Sequence, residues 1–280
     1  MASATRLWLF LDYDGTLAGF APTPDHVEPD SEVLELLDHL VADPRIRVTV
    51  ISGRRLSHVR SLIPVEGVML AGTYGIELQT PSGRRIDRLD FNAVRPVLDR
   101  IKPEWKSQIS EKPGFYLEDK GWSMAIHAKD APNGEAATLL PRCRQIAEGF
   151  LARPGDRRAT ELPTGEVSIP PRRQTGGKSA GRVDFRILGG YKFLEIGPQL
   201  ANKGKTVAYL IDHYPWLDAL HVYIGDDDKD EEAFGTIHAQ GGIAAVVASG
   251  DRESHADCRL TSPQEVRQWL RHLPGKVAAG

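Results

Sequence analysis

Between Leu7 and Leu11 the chain places bulky apolar residues in an unbroken run, Leu-Trp-Leu-Phe-Leu, and then two carboxylates one residue apart, Asp12 and Asp14. A run this short, bounded by a turn signal, reads as a strand buried on both faces, as in a parallel sheet. Gly15 comes next and permits a tight turn. Asp12 and Asp14 therefore fall at the carboxyl end of a core strand, where open α/β sheets bind their ligands. Carboxylates this close repel each other unless they share a proton or a metal. Taken alone, an Asp-x-Asp after a strand is more readily explained as a helix cap or turn former. The rest of the chain has to decide between these explanations.

Beyond this turn the chain alternates helix and strand. Glu32 to Val41 carries Val33, Leu36, Leu37, Leu40 and Val41 at helical spacing, with Asp30 or Ser31 ahead of it as N-cap. Arg47 to Ile51 is a short β-branched strand ending at Ser52-Gly53-Arg54, and a helix runs from there to about Ile63. Val68 to Ala71 is a third strand, ending at Gly72-Thr73-Tyr74-Gly75. Such alternation predicts a parallel, doubly wound sheet.

The character then changes. Asn92 to Ile109 has a helical pattern that tolerates Pro96 and Pro103 only near its ends or at kinks. Phe115–Glu118 and Trp122–His127 read as strands around an Asp119-Lys120-Gly121 turn, and Gly134 to Leu151 as a further helix. In this strand His127 reads as a satisfied core histidine. Pro154 to Gly190 is irregular, a long loop with room for one strand pair. Its Arg157, Arg158, Arg172, Arg173, Lys178, Arg182 and Arg186 read as a solvated surface, contact with phosphate being the alternative. Alternation resumes at Lys192 with a strand at Phe193–Ile196, a helix at Lys203–His213 and a strand at Leu220–Ile224. A short helix at Glu232–Ile237, a strand at Ile243–Ala248 and a closing helix at Pro263–Leu273 complete the pattern. The expected fold is α/β: a doubly wound parallel-sheet (Rossmann-like) core from 1–81 and 191–280, with 82–190 inserted as an α+β cap.

Composition narrows the classes. The 280 residues carry a net charge of only −3, which gives no ground for a nucleic-acid or membrane-surface partner. Two cysteines, Cys143 and Cys258, make no disulfide framework and are expected as reduced thiols in a cytoplasmic protein. The first apolar run is too short for a secretory signal, and nothing approaches the roughly 18 consecutive apolar residues of a membrane helix. No obligate protein partner is evident.

Four clusters fall at the ends of expected core strands: Asp12/Asp14, Ser52-Gly53, Lys203 at a helix start, and Asp226/Asp227/Asp230. Each has an ordinary explanation alone: a cap, a solvated lysine, an acidic helix N-terminus. Their joint placement does not. Carboxylates from two strand ends can bind a hard cation. A lysine and a hydroxyl can neutralise and orient a phosphate. One aspartate can attack phosphorus while the other manages the proton.

These words resemble the four motifs of the haloacid dehalogenase superfamily of phosphatases: Asp12-Tyr13-Asp14-Gly15-Thr16, Ser52, Lys203, and Gly225-Asp226-Asp227-x-x-Asp230-Glu231. Within it the chain resembles the trehalose-6-phosphate phosphatases, through Ile51-Ser52-Gly53-Arg54, Gly72-x-x-Gly75-x-Glu77, Glu118-x-Lys120, Glu195-Ile196-x-Pro198 and Lys203-Gly204. The resemblance implies Asp12 as nucleophile and Asp14 as general acid/base. It implies Mg²⁺ held by the Asp12 carboxylate, the Asp14 backbone carbonyl and Asp226, with Asp230 acting directly or through water. Ser52 and Lys203 would bind the transferring phosphoryl group, and Gly53, Arg54, Glu77, Glu118 and Lys120 become candidates for the sugar side. For Glu118 and Lys120 a surface ion pair is the equal alternative.

Two departures stand out. The family word is Glu-x-Arg-Pro, whereas this chain has Gly197 in the third place, and the 157–186 loop is longer than usual. One of that loop's arginines could replace the missing one, or the substrate could differ. The expected function is Mg²⁺-dependent hydrolysis of a phosphorylated disaccharide, most simply trehalose 6-phosphate, behind a mobile cap. The rivals are a related glucosylglycerate, glucosylglycerol or cyclitol phosphate as substrate, a phosphomutase, and a catalytically inactive regulatory module.

Overall fold

The computed structural model describes residues 5–19, 28–152 and 183–274. Two compact units emerge, one from Met1–Ile86 with Leu200–Gly280, the other Asp87–Gln199. The boundary expected at 190/191 thus falls later in the chain.

The first unit is built on a mixed sheet. Its central strands are β1 (Arg6–Leu11), β2 (Ile46–Ile51), β3 (Met69–Gly72), β4 (Glu77–Gln79) and β5 (Arg85–Asp87). Returning after the second unit come β10 (Ala219–Gly225), β11 (Ile243–Val247) and β12 (Cys258–Leu260). The order is β12-β11-β10-β1-β2-β3-β4-β5. The pairs from β12 through β3 are parallel, and β4 turns back antiparallel on β3. Helices α1 (Ser31–Val41), α2 (Leu56–Leu62) and α7 (Pro263–Arg271) share one apolar core with Leu9, Leu11, Val48, Val50 and Ile224. On the other face α5 (Lys203–His213) and α6 (Glu231–Ala239) pack against Trp8, Phe10, Ile51 and Tyr223. Because both faces are covered, the strands read as continuous apolar runs rather than alternating ones. Asp30 caps α1, its Oδ1 accepting from the Glu32 and Val33 amides.

The second unit contains α3 (Phe91–Ile109), the hairpin β6 (Tyr116–Asp119) and β7 (Met124–His127), α4 (Asn133–Ala152), β8 (Phe185–Gly190) and β9 (Phe193–Pro198). The strands form an antiparallel sheet in the order β6-β7-β9-β8. This corrects one expectation. Phe193–Ile196 was expected to resume the parallel core, but β9 pairs antiparallel with β7 and β8. A short apolar run identifies a buried strand without naming its neighbours, so the boundary moves past Gln199.

Helix α3 runs through Pro96 and Pro103 in its interior. It buries Val94, Val97, Leu98, Ile101, Trp105 and Ile109 on one stripe. Each such side chain is worth about 1.5–3 kcal/mol when buried, enough together to outweigh roughly 3 kcal/mol or more per interior proline. Residues 153–182, with Arg157, Arg158, Arg172, Arg173, Lys178 and Arg182, lie outside the described residues; Arg186 lies in β8. Among the described residues no helix is long and apolar enough to cross a membrane.

Candidate active site

The carboxyl ends of β1 and β10 adjoin, since the strands pair in parallel from Arg6↔Ala219 to Leu11↔Ile224. Asp12 and Asp226 stand immediately after these ends. The Tyr13–Ala18 turn is closed by the Leu17 and Ala18 amides on the Tyr13 carbonyl, 3.0 and 2.9 Å. Gly15 sits in it at φ 81°. A Cβ there would collide with the Asp226 carboxylate, so no other residue leaves Asp226 its place.

Lys203 opens α5 and is buried between two acids, 2.9 Å from Asp12 Oδ1 and 2.7 Å from Asp230 Oδ1. A cation at a helix N-terminus opposes the helix dipole; these ion pairs offset that. Lys203 does not come after a parallel strand, as its sequence position suggests, but enters from the helix after β9. Asp230 is fully buried, 0% exposed, and accepts from four donors. Its Oδ1 takes Lys203 and the Tyr223 hydroxyl, both at 2.7 Å. Its Oδ2 takes the Asp226 and Asp227 amides at 3.1 and 3.0 Å. It thereby shapes the loop that carries Asp226.

Asp12, Asp226 and Asp230 each offer a carboxylate oxygen, all within 4.8 Å of one another. Burial pushes the Asp12 carboxyl well up, Lys203 opposing and Asp230 and Asp226 adding to the rise. Burial likewise lifts Asp226 to about 6, against a hydrogen bond with Asp12 that lowers it. Burial alone would lower Lys203, but Asp12 and Asp230 raise it well above its ordinary value. Clustered oxygen donors under this strain fit a divalent metal, which relieves the repulsion that burial amplifies.

Asp14 stands apart from this cluster. Arg54 grips it with two parallel hydrogen bonds, Nε to Oδ2 and Nη2 to Oδ1, each 2.7 Å. Arg54 was expected on the sugar side; here it holds the second aspartate of the opening pair, and its Nη1 lies 3.3 Å from His58 Nδ1. Ser52 follows directly on β2, the strand beside β1, and its hydroxyl accepts from the Arg54 amide at 3.1 Å. Gly53 lies against the Tyr74 ring. Glu77, also expected near the sugar, is 2% exposed. Its carboxylate accepts from the Leu56 amide at the start of α2, from the Thr73 hydroxyl, and from Arg85 at 2.9 Å. It anchors the Thr73–Gly75 turn to α2.

That turn holds a residue that the sequence pattern does not mark. Tyr74 has φ 53° and ψ 29°, a left-handed conformation uncommon outside glycine and asparagine. It is fastened by its amide on the Ser52 carbonyl at 2.8 Å and by its own carbonyl to the Thr206 hydroxyl at 2.7 Å. The Lys229 ammonium reaches its phenol oxygen at 2.9 Å. Tyr74, Lys229 and Tyr223 are all absent from the residues expected at the site. The flanking Gly72 and Gly75 signal a turn, but nothing marks its bulky middle residue as strained.

Glu118 and Lys120 lie in the second unit. Register partners in a sheet share a face, so Glu118, Ala125, Glu195 and Leu188 form one row across β6, β7, β9 and β8. Helices α3 and α4 cover the opposite face. There Asp119 pairs with Arg95 and Lys102 of α3, and Arg144 of α4 donates to the Ile187 carbonyl. On the polar face Lys120 Nζ lies 3.3 Å from Glu195 and 3.8 Å from Glu118. Ser123 donates to Glu195 at 2.9 Å, and His127 Nε2 lies 2.8 Å from Glu118. His127 is thus a half-exposed member of a polar network, not a core residue. Burial would raise the Glu118 carboxyl, but the His127 hydrogen bond and Lys120 outweigh it and hold it low.

Comparison with known proteins agrees with this architecture. A family model described as trehalose-phosphatase matches residues 10–149 and 180–264. The chain is 28% identical over 278 residues to the trehalose-phosphate phosphatase of Mycobacterium marinum, a match covering 96% of this chain and 62% of that protein. It thus spans less than two thirds of the length of that curated relative. The C-terminal domain of Candida albicans trehalose-6-phosphate phosphatase has the same fold, with TM-score 0.75, 19% identity and coverage of 97% and 93% of the two chains. The Aspergillus fumigatus trehalose-6-phosphate phosphatase gives TM-score 0.64 and 22% identity, covering 96% and 93%.

Proposed function

The chain belongs to the trehalose-phosphatase family, and from that premise we propose that it is a Mg²⁺-dependent phosphatase hydrolysing trehalose 6-phosphate to trehalose and phosphate. The observation that carries the reading is the buried Lys203 between Asp12 and Asp230, with Asp226 beside them at the ends of β1 and β10. Paired carboxylates and a neutralising cation at adjoining strand ends are what attack on a phosphate dianion needs.

In this reading an Asp12 carboxylate oxygen attacks phosphorus and the bond from phosphorus to the sugar oxygen breaks. Asp14 gives its proton to the departing oxygen, so the sugar leaves neutral. Asp14 then takes a proton from water as the water oxygen attacks the aspartyl phosphate. Inorganic phosphate leaves and the Asp12 carboxylate is restored. Arg54 fixes the direction of the Asp14 carboxylate through its two hydrogen bonds. Lys203 and Ser52 bind the phosphoryl oxygens. Asp12, Asp226 and the Asp14 backbone carbonyl would hold the metal, with Asp230 fixing the loop behind them. When bound, Mg²⁺ supplies charge neutralisation between the attacking carboxylate and the phosphate. The polar face of the second unit, with Glu118 and Lys120, recognises the sugar hydroxyls. Both described cysteines are free thiols, which accords with a cytoplasmic enzyme.

A phosphate-release screen over sugar phosphates, with and without EDTA, tests this. Trehalose 6-phosphate should be the best substrate, and EDTA should silence turnover until Mg²⁺ is restored. Strong turnover of another sugar phosphate with none of trehalose 6-phosphate overturns the substrate, and Gly197 makes a related glycosyl phosphate the second reading. No release from any ester overturns the enzyme.

A further inference from the structure

Two residues along each strand from the carboxylate row, on the same face, runs a second row. The Lys120 amide donates to the Ser123 carbonyl at 2.9 Å, and the Met124↔Ile196 pairing brings Ser123 level with Gly197. The register partner of Gly197 on β8 is Arg186. The row therefore reads Lys120, Ser123, Gly197, Arg186. A cation stands at each end, and the smallest side chains lie between them. The adjoining row reads Glu118, Ala125, Glu195, Leu188, with two carboxylates around another small residue.

The middle of the second row is small for a steric reason. A Cβ on Gly197 would lie 2.9 Å from the Ser123 Cβ, closer than real Cβ contacts come. Ser123 is itself fixed by its hydrogen bond to buried Glu195. A side chain at position 197 would have to displace Ser123, so this strand position offers no cation. Arg186, half-buried, lies on the same face one strand away, diagonal to Glu195 and within the reach of long side chains.

We propose that Arg186 is a specificity-determining residue of this face. With Lys120 it brackets a trough floored by Ser123 and Gly197 that takes a glycosyl ring. The two cations donate to hydroxyl oxygens, and Glu118 and Glu195 accept hydroxyl protons. A guanidinium offers paired donors in a planar fork, which suits neighbouring ring hydroxyls better than an ammonium does. This inference rests on the proposed reading of the protein as a sugar phosphatase.

The test is steady-state kinetics on the full chain for Arg186→Gln, Arg186→Lys and the relocation variant Ser123→Gly/Gly197→Arg/Arg186→Gln. Trehalose 6-phosphate is compared with an aryl phosphate that carries no sugar, and circular dichroism checks folding. Arg186→Gln is expected to raise KM for trehalose 6-phosphate about tenfold, the scale of a lost charge-assisted hydrogen bond, with kcat less affected. The ratio of the two specificity constants should fall with it. Arg186→Lys should fall between, and the relocated arginine should recover most of the loss. A KM within about twofold of the parent for folded Arg186→Gln overturns the proposal, as does an equal loss on both esters. A relocated arginine that recovers nothing also overturns it. Failure of the sugar-phosphatase reading appears separately, in the unmutated protein. If that protein prefers another sugar phosphate, the same variants are read on that ester.

Discussion

The two charged centres of this protein are made from the same kinds of side chain but are held differently. At the ends of β1 and β10 the acids are buried and anchored in part by backbone: Asp230 takes two amides besides Lys203 and the Tyr223 hydroxyl. On the antiparallel face of β6, β7, β9 and β8 the network runs from side chain to side chain, through Glu118, His127, Lys120, Glu195 and Ser123. Backbone anchors leave few alternatives, so the first centre is preorganised for one chemistry. A network of side chains on neighbouring strands can be rearranged by exchanging residues across a register. The first centre suits an invariant reaction, the second an adjustable specificity.

The largest test of that contrast is Asp12→Asn. It should lower kcat by about 10⁴-fold or more, as expected when a covalent nucleophile is lost. Thermal unfolding of the metal-free protein should stay level or rise, because burial already works against that carboxylate. Turnover near that of the parent protein would remove Asp12 as the attacking group.

Next in size is Asp230→Ala. It leaves the Lys203 ammonium, the Tyr223 hydroxyl and two amides short of their common acceptor. Breaking a buried charged network of this kind costs about 3–5 kcal/mol, readable from the denaturant midpoint. Glu118→Gln, on the adjustable face, should cost about 1 kcal/mol. Equal losses would mean that the two centres are not held differently after all.

The same contrast governs how much can be read from the sequence. Asp12, Asp14, Ser52, Lys203, Asp226 and Asp230 each sit beside a strand end or helix start, so local pattern alone places them. Position in the chain also carries α1, α5 and β10 to within a residue or two. Pairing partners are not legible. The apolar run at 193–196 looks the same in a parallel or an antiparallel sheet, which is why its pattern assigns β9 to the wrong unit. Side-chain partners are not legible either. Arg54 and Asp14 lie 40 positions apart, and only the fold shows that Arg54 serves the aspartate. Glu77 looks polar enough for a sugar and proves to be an anchor for the Thr73–Gly75 turn.

A smaller effect belongs to the adjustable face. Glu118→Gln or Lys120→Ala should lower the specificity constant for trehalose 6-phosphate, relative to a small aryl phosphate, by about tenfold. The loss should appear mainly in KM. If both esters lose equally, these residues support the fold and not the sugar.

The last expected effect lies on the covered face of that same sheet. Asp119 accepts from Arg95 at 2.6 and 2.7 Å, from Lys102 at 2.6 Å and from the Gly121 amide at 2.9 Å. Arg95 first, then Lys102 and the amide, hold its carboxyl well below the usual range against the opposing effect of burial. A depressed folded-state pKa contributes stability that is present above the unfolded value, about 3.9, and is lost as pH falls through the folded value. Asp119→Asn should therefore cost about 2 kcal/mol at pH 7. The gap between parent and variant should narrow as pH drops below about 4. Asp230 is shifted the opposite way, upward, by burial, so its linkage carries the opposite sign. Denaturant melts of parent and Asp119→Asn at neutral and acid pH measure this directly. A cost that does not change with pH would mean that Asp119 acts by shape and hydrogen-bond count, not by charge.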